Sequence, residues 1–204
     1  MNIFLAALAG YLLGSVSFSI ILSRLRYRDD IRRHGSGNAG MTNTLRTYGK
    51  LPAVLVLVGD ALKGVLAAWI GWKLGGTAGA YVAGLLAVVG HMFPLYFGFK
   101  GGKGVATAAG VILGTCPPVL LMLVVVFLLV VALSRYVSLG SVTVAVCYLP
   151  AMLWYTREAG FSLRPDLVCP LLMAVLVIWA HRSNIRRLLS GTENKLGAGK
   201  NPRP

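Results

Sequence analysis

The residues best suited to chemistry form one stretch, Gly98-Phe99-Lys100-Gly101-Gly102-Lys103-Gly104-Val105-Ala106-Thr107. It sets two lysines among closely spaced glycines in an otherwise apolar chain. A glycine-rich turn lets successive backbone N–H groups point into one concavity, and lysines beside it favour a phosphate or another anion. The run from Val105 reads as a helix start, whose positive dipole end would face the same anion. The GxxxxGK[ST] spacing of a nucleotide-binding loop is absent. Taken alone, the stretch also fits a basic turn between two membrane helices.

Five further groups could join it. Gly35-Ser36-Gly37-Asn38-Ala39-Gly40-Met41-Thr42-Asn43-Thr44-Leu45-Arg46 alternates glycines with uncharged donors and ends in an arginine. Ser36, Asn38, Thr42 and Asn43 offer hydroxyl and amide groups, and Arg46 offers a planar fork for a phosphate, although such runs also make plain turns. No adjacent His–Asp pair stands ready to activate Ser36; His34 is a sequence neighbour only. Asp60 and Lys63 lie three residues apart and share a helix face, either as a structural ion pair or with Lys63 touching substrate. His91, in Gly90-His91-Met92-Phe93-Pro94, fits a hydrogen-bonded interior position or a place in the site. Ser138 and Ser141 open a later span, as caps or as site lining.

The last group runs from His181 through Asn184, Arg186, Arg187 and Gly191-Thr192-Glu193 to Lys195. A helix continuing past His181 would place His181, Asn184 and Leu188 on one face and Arg182 and Arg186 on another. His181 can act as a general base near neutral pH or donate a hydrogen bond. Glu193 reads as a structural partner of nearby basic groups. The arginines, taken alone, read as lipid-headgroup anchors.

The elements that must position these groups are apolar. The chain has 204 residues, 56% hydrophobic and 13% charged, against about 25% charged in a soluble domain. Long charge-free runs place it in a membrane. Its net charge of +14 sits at the ends of apolar segments, which argues for anionic lipids and anionic substrates as partners and against nucleic acid. Cys116, Cys147 and Cys169 lack metal-ligand spacing, so no zinc site, disulfide or other metal centre is expected, and no cofactor. The first apolar run lacks a basic leader and a cleavage site and reads as a retained span.

Expected spans run over about 3–23, 51–72, 77–98, 105–115, 119–134, 138–155 and 167–181. The piece from Val105 to Thr115 is too short, at about 16 Å, to cross a ~30 Å hydrocarbon core unaided. Counting it separately gives seven crossings. With the N-terminus outside, 16 of the 20 Lys/Arg then face the cytoplasm, leaving Lys73, Arg157 and Arg164 outside and Lys63 within a span. Six crossings would put either the basic tail or the 24–50 loop outside. The short helix must be tilted or sheltered by its neighbours. The expected fold is therefore an all-α polytopic membrane protein with about seven transmembrane helices, one short, N-terminus outside and C-terminus cytoplasmic. Residues 1–204 form a single domain with a flexible basic tail at 195–204. The 24–50 loop, the 98–104 loop and the tail would then meet on one membrane face.

With these motifs in order, the chain resembles the bacterial membrane acyltransferases that use acyl phosphate to acylate glycerol 3-phosphate. The resemblance spans nearly the whole chain and includes Asp60…Lys63-Gly64; Met41 departs from the small residue usual before Thr-Asn. It implies transfer of a fatty acyl group to the C1 hydroxyl of glycerol 3-phosphate, giving lysophosphatidate and phosphate, at the cytoplasmic side of the bacterial inner membrane. It implies catalytic roles for Ser36, Arg46, Lys103, His181 and Asn184, and a phosphate-binding role for Lys100, Gly101, Gly102, Lys103 and Gly104. Gly37, Asn38, Thr42, Asn43, Lys63, His91, Ser138 and Ser141 join the expected substrate-binding set, with Asp60 and Glu193 structural. A seven-helix bundle could enclose such a site as a monomer. The alternative is a transporter or channel for phosphorylated anions, suited by a charged pair inside a span. Against it stand the absence of an internal repeat and the clustering of polar motifs on one face.

Overall fold

The computed structural model describes residues 2–159 and 165–197. Nine α-helices account for most of them: α1 (Ile3–Gly14), α2 (Phe18–Tyr27), α3 (Met41–Tyr48), α4 (Lys50–Met92), α5 (Val105–Thr115), α6 (Pro117–Ser134), α7 (Val137–Ala159), α8 (Pro165–Ala180) and α9 (Arg182–Leu189). Four helical stretches are long and apolar enough to cross a membrane, and a fifth qualifies if α8 and α9, bent by 56°, count together. The all-helical reading holds.

The segments differ from expectation where polar groups intervene. The first expected span is two helices, because the chain turns extended at Ser17. The break leaves the Val16 carbonyl without a helical partner, and Lys63 Nζ donates to it at 2.6 Å. The expected spans 51–72 and 77–98 are the two arms of α4. Gly76, at φ 61°, takes a backbone conformation that favours glycine, and there the helix folds back. In a straight helix Gly71 and Gly79 would be about 12 Å apart, yet a Cβ on Gly79 would lie 2.1 Å from the Gly71 carbonyl. The second arm ends at Met92 rather than near Gly98, since Pro94 cannot continue the ladder and pushes Phe93 out of helical geometry. Helix α3 occupies part of the expected 24–50 loop, and α9 prolongs the last span past its bend.

In lipid, helices associate through close packing of small residues rather than through a hydrophobic drive. Helix α1 sits on the second arm of α4 in this way: a Cβ on Gly10 or Gly14 would lie 2.1 Å from the carbonyls of Ala83 and Ala87. The short α5 is sheltered as expected, wedged against both arms of α4, where Gly64 meets the Thr107 carbonyl and Gly84 meets Val111. Helix α6 is the opposite case, with only 11% of it buried and Leu121, Leu128, Leu129 and Leu133 exposed. The core between these elements contains Val88, Val111, Ile112, Val119, Met152 and Met173. Of the expected flexible tail, Leu196 donates its N–H to the Arg135 carbonyl at 2.6 Å, and residues 198–204 lie outside the described residues. Arg164 also lies outside them.

Candidate functional site

Two cavities meet at one end of the bundle. The larger, about 350 Å³, runs between α4, α5, α6, α7 and α8. Its mouth is polar, with Ser36, Asn38, Thr42, Asn43, Arg46, Lys103, Gly104, His181, Asn184 and Glu193; its depth is lined by Ala108, Ile112, Leu120, Leu123, Val144, Tyr148, Met173 and Val177. Asp60, His91, Ser138 and Ser141 border it, as do Leu57 and Val124, both exposed on the outer surface. The smaller, about 290 Å³, is lined by Ser36, Gly37, Asn38, Lys103, Arg182, Ser183, Asn184, Arg186 and Arg187. Ser36, Asn38, Lys103 and Asn184 belong to both. The three motif regions therefore converge, as the shared-face reading expects.

Each motif is held by its own local chemistry. Buried Asn43 organises the first loop: its Nδ2 donates to the carbonyls of Ile31 and His34, and its Oδ1 accepts from the Ser36 N–H at 3.0 Å. Asn43 thus shapes the Ser36 turn from behind. Arg32 ties this loop to the glycine–lysine loop. Its Nη1 donates to the carbonyls of Phe97 at 2.7 Å and Lys100 at 3.2 Å, while Nε and Nη2 grip Asp30. The Arg32 hydrogen bonds hold the Asp30 carboxyl far below the usual carboxylate range. His34 pairs closely with Asp29, a pairing that sequence reading did not expect. His34 borders neither cavity and no hydrogen bond joins it to Ser36 among the described residues, so no Ser–His–Asp relay forms.

The glycine–lysine stretch divides its labour unexpectedly. The N–H groups of Phe99, Gly101 and Gly102 donate to the carbonyls of Pro94, Met92 and His91. They fold the turn instead of facing an anion. The glycines serve close approach, since a Cβ on Gly102 would lie 2.1 Å from His91 Nε2. Lys100 is exposed, and it, Gly101 and Gly102 border neither cavity. Lys103, Gly104 and the first turn of α5 do border the larger one. The first N–H groups of α5, which lack intrahelical partners, begin at this cavity.

The third motif is a relay of fixed orientations. Glu193 accepts from Ser138 Oγ at 2.9 Å, Asn184 Nδ2 at 2.7 Å and Arg187 Nε at 2.7 Å. Burial opposes its charge, but the hydrogen bonds from Asn184, Arg187 and Ser138 outweigh it and hold the carboxyl below its ordinary range. Because a carboxylate only accepts, the Asn184 amide must turn its nitrogen to Glu193 and its oxygen to Lys103 Nζ, which donates to it closely. Ser138 therefore serves Glu193 rather than a helix cap, and Ser141 donates to the Val137 carbonyl at 2.9 Å. Burial pushes the Lys103 ammonium down to about 8, with Glu193 opposing and Arg187 and Arg46 assisting. His181 Nδ1 lies 2.7 Å from the Val177 carbonyl, which can only accept, so in the neutral ring Nε2 carries the lone pair.

Lys63 stands apart. Its Nζ donates to Val16 O at 2.6 Å and His91 Nδ1 at 2.9 Å, and meets Asp60 Oδ1 at 2.9 Å. Its hydrogen bonds go to protein groups, Asp60 supplies its counter-charge, and it borders neither cavity, so the structural ion-pair reading accounts for it. Arg182, Ser183 and Arg186 are site residues that sequence reading treated as tail. The i, i+4 spacing of the two arginines was the available signal. Among the described residues, no group of three or more His, Cys, Asp or Glu is placed to hold a metal ion.

Comparison with known proteins agrees with this geometry. The profile of the glycerol-3-phosphate acyltransferase family matches residues 4–191. Among curated relatives, the glycerol-3-phosphate acyltransferase of Syntrophomonas wolfei is 48% identical over 91% of this chain and 93% of its own. That of Halalkalibacterium halodurans is 45% identical over 96% of both chains. The crystal structure of PlsY, an integral membrane glycerol 3-phosphate acyltransferase in its glycerol 3-phosphate form, superposes with a TM-score of 0.87 at 40% identity, covering 97% of this chain and 96% of that one. Its lysophosphatidic acid form gives a TM-score of 0.84 at 39% identity.

Proposed function

The chain belongs to the glycerol-3-phosphate acyltransferase family, and we propose that its acyl donor is acyl phosphate and its product 1-acyl-glycerol 3-phosphate. The enzyme acts in phospholipid biosynthesis. One observation carries the donor reading: an apolar cavity and a basic polar cavity join at Ser36, Asn38, Lys103 and Asn184. A fatty acyl phosphate fits the first, chain inward and phosphate at the mouth. Glycerol 3-phosphate fits the second, its phosphate between Arg182 and Arg186. The solved relative's glycerol 3-phosphate and lysophosphatidic acid forms support both ligand classes.

The reaction follows from where the groups stand. The C1 hydroxyl oxygen attacks the acyl carbonyl carbon, a C–O ester bond forms, and the carbonyl-to-phosphate C–O bond breaks. Phosphate is already a good leaving group, so positioning and charge stabilisation supply most of the acceleration. Lys103, Arg46 and the first N–H groups of α5 stabilise the departing phosphate. Ser36 and Asn38 hold the acceptor at the junction. His181 Nε2 takes the hydroxyl proton and returns it to phosphate. No acyl-enzyme intervenes, because Ser36 lacks an activating base.

The membrane reading is part of the proposal. Counting α1–α2, the two arms of α4, α5, α6, α7 and α8 once each gives seven crossings, with the N-terminus outside and the site on the cytoplasmic side of the inner membrane. The exposed Leu57 and Val124 beside the larger cavity give a lipid donor a lateral way in from the bilayer. A monomer contains every residue assigned a role.

Detergent-purified protein given palmitoyl phosphate and glycerol 3-phosphate should release phosphate and lysophosphatidate in equal amounts, and acyl-CoA should not replace the donor. Phosphate without lysophosphatidate would mean hydrolysis and a wrong acceptor. Neither product from folded protein would shift the weight to anion transport.

A further inference from the structure

The larger cavity has a floor. On α5 its lining stops at Ile112, on α6 at Leu120, on α7 at Tyr148 and on α8 at Met173. One turn further come Cys116, just past the end of α5, Met152 on α7 and Cys169 on α8, all buried and none of them lining the cavity. Four helices thus end the cavity together, and Tyr148 is the largest of the four end residues. Tyr148 is itself 3% exposed and belongs to the packed cluster beneath, with Tyr81, Val119 and Met152. Its hydroxyl is buried and has no hydrogen-bond partner among the described residues.

We propose that Tyr148 sets the acyl-chain length this enzyme accepts, as the stop against which the donor's methyl end rests. This rests on the acyl-phosphate reading above. Along α7, Ser138 at the mouth and Tyr148 at the floor are separated by about 15 Å of helix. An extended chain gains ~1.2 Å per carbon, as in a peptide backbone, so roughly 12 carbons span that depth. Up to that length each added methylene finds apolar wall. Beyond it the chain must bend or leave sideways past Leu57 and Val124, and the added methylenes gain little.

The test is kcat/KM against chain length, from 8 to 20 carbons, at fixed mole fraction in mixed micelles. For the wild type it should rise by up to about fourfold per methylene and break at roughly 12–14 carbons. Tyr148→Leu should move the break to longer chains by about three carbons, and Tyr148→Trp should move it shorter by about two, each from the change in floor height. Tyr148→Phe, which removes only an unpartnered hydroxyl, should leave it in place. If Tyr148→Leu does not fold, Met173→Val lowers the same floor and is scored instead. A break that ignores these substitutions, or a wild-type profile without one, overturns the gauge while the donor assignment stands. No lysophosphatidate from any acyl phosphate with folded wild type overturns both.

Discussion

Two lysines, 40 residues apart in the chain, one buried and one half-buried, show what separates structure from function here. Lys63 lies buried inside the bundle with three protein partners: hydrogen bonds to the Val16 carbonyl and His91, and a salt bridge to Asp60. Lys103 lies where two cavities meet, with one side-chain hydrogen-bond partner among the described residues, the Asn184 oxygen. A buried charge is costly unless it is fully paired. Lys63 is paired within the protein, and the first span is broken to supply one of its acceptors. Lys103 is left incomplete, and an anionic substrate would complete it. The incompletely paired charge marks the site.

That contrast is open to direct attack. The largest effect expected is on turnover: Lys103→Ala should lower kcat/KM by about 10³, the scale on which one transition-state charge stabiliser acts. Its melting temperature should hold. Lys63→Ala should do the reverse. It leaves Asp60 buried without its cation, costing about 3–5 kcal/mol and lowering the melting temperature on the order of 10 °C. The molecules that stay folded should turn over within a few fold of wild type. If Lys63→Ala instead kept its stability and lost turnover, the distinction would collapse.

Much of the site was legible before the fold. Ser36, Arg46, Lys103, His181 and Asn184 stood in polar, glycine-rich runs that no membrane helix requires, and the structure places all five around the larger cavity. What could not be read was which polar group faces what. Lys63 and Lys103 look alike in a sequence, since a lysine's partners can lie far off in the chain, as the Val16 carbonyl does for Lys63. The break after α1 hides within an apolar run, since the carbonyl it frees matters only once α4 lies beside it. Gly101 and Gly102 read as a phosphate cradle because glycine permits one, but their amides meet the end of α4. Arg182 and Arg186 read as headgroup anchors until the bend between α8 and α9 turns them toward Ser36.

Smaller effects sharpen the same contrast. Glu193→Gln removes the charge that orients Asn184 and binds Arg187, a loss of about 1.5–3 kcal/mol for hydrogen bonds to a charged group. Turnover should fall about tenfold as Asn184 loosens its hold on Lys103, since one weakened hydrogen bond of that size is near 1.4 kcal/mol. Because the Glu193 carboxyl is held below its ordinary value, its stabilisation is present above the ordinary glutamate range and is lost as pH falls through the lower folded value. Acid melting curves should show that loss in wild type and not in Glu193→Gln. The smallest effect is a pH limb. Lys103 must be protonated to hold phosphate and titrates near 8, so kcat/KM should decline above about pH 8, up to tenfold per unit. Lys103→Arg, charged at every accessible pH, should remove that limb from whatever activity it retains.

The most direct measurement is a structure with both substrate positions filled, by a non-transferable palmitoyl phosphonate and glycerol 3-phosphate. The palmitoyl chain is expected along Ile112, Leu123 and Tyr148, with its phosphonate at Lys103 and the start of α5. Glycerol 3-phosphate is expected between Arg182 and Arg186, with its C1 hydroxyl near His181. Density for the roughly 12 carbons nearest the phosphonate outside that cavity, or both phosphates away from Lys103, would contradict the two-cavity site.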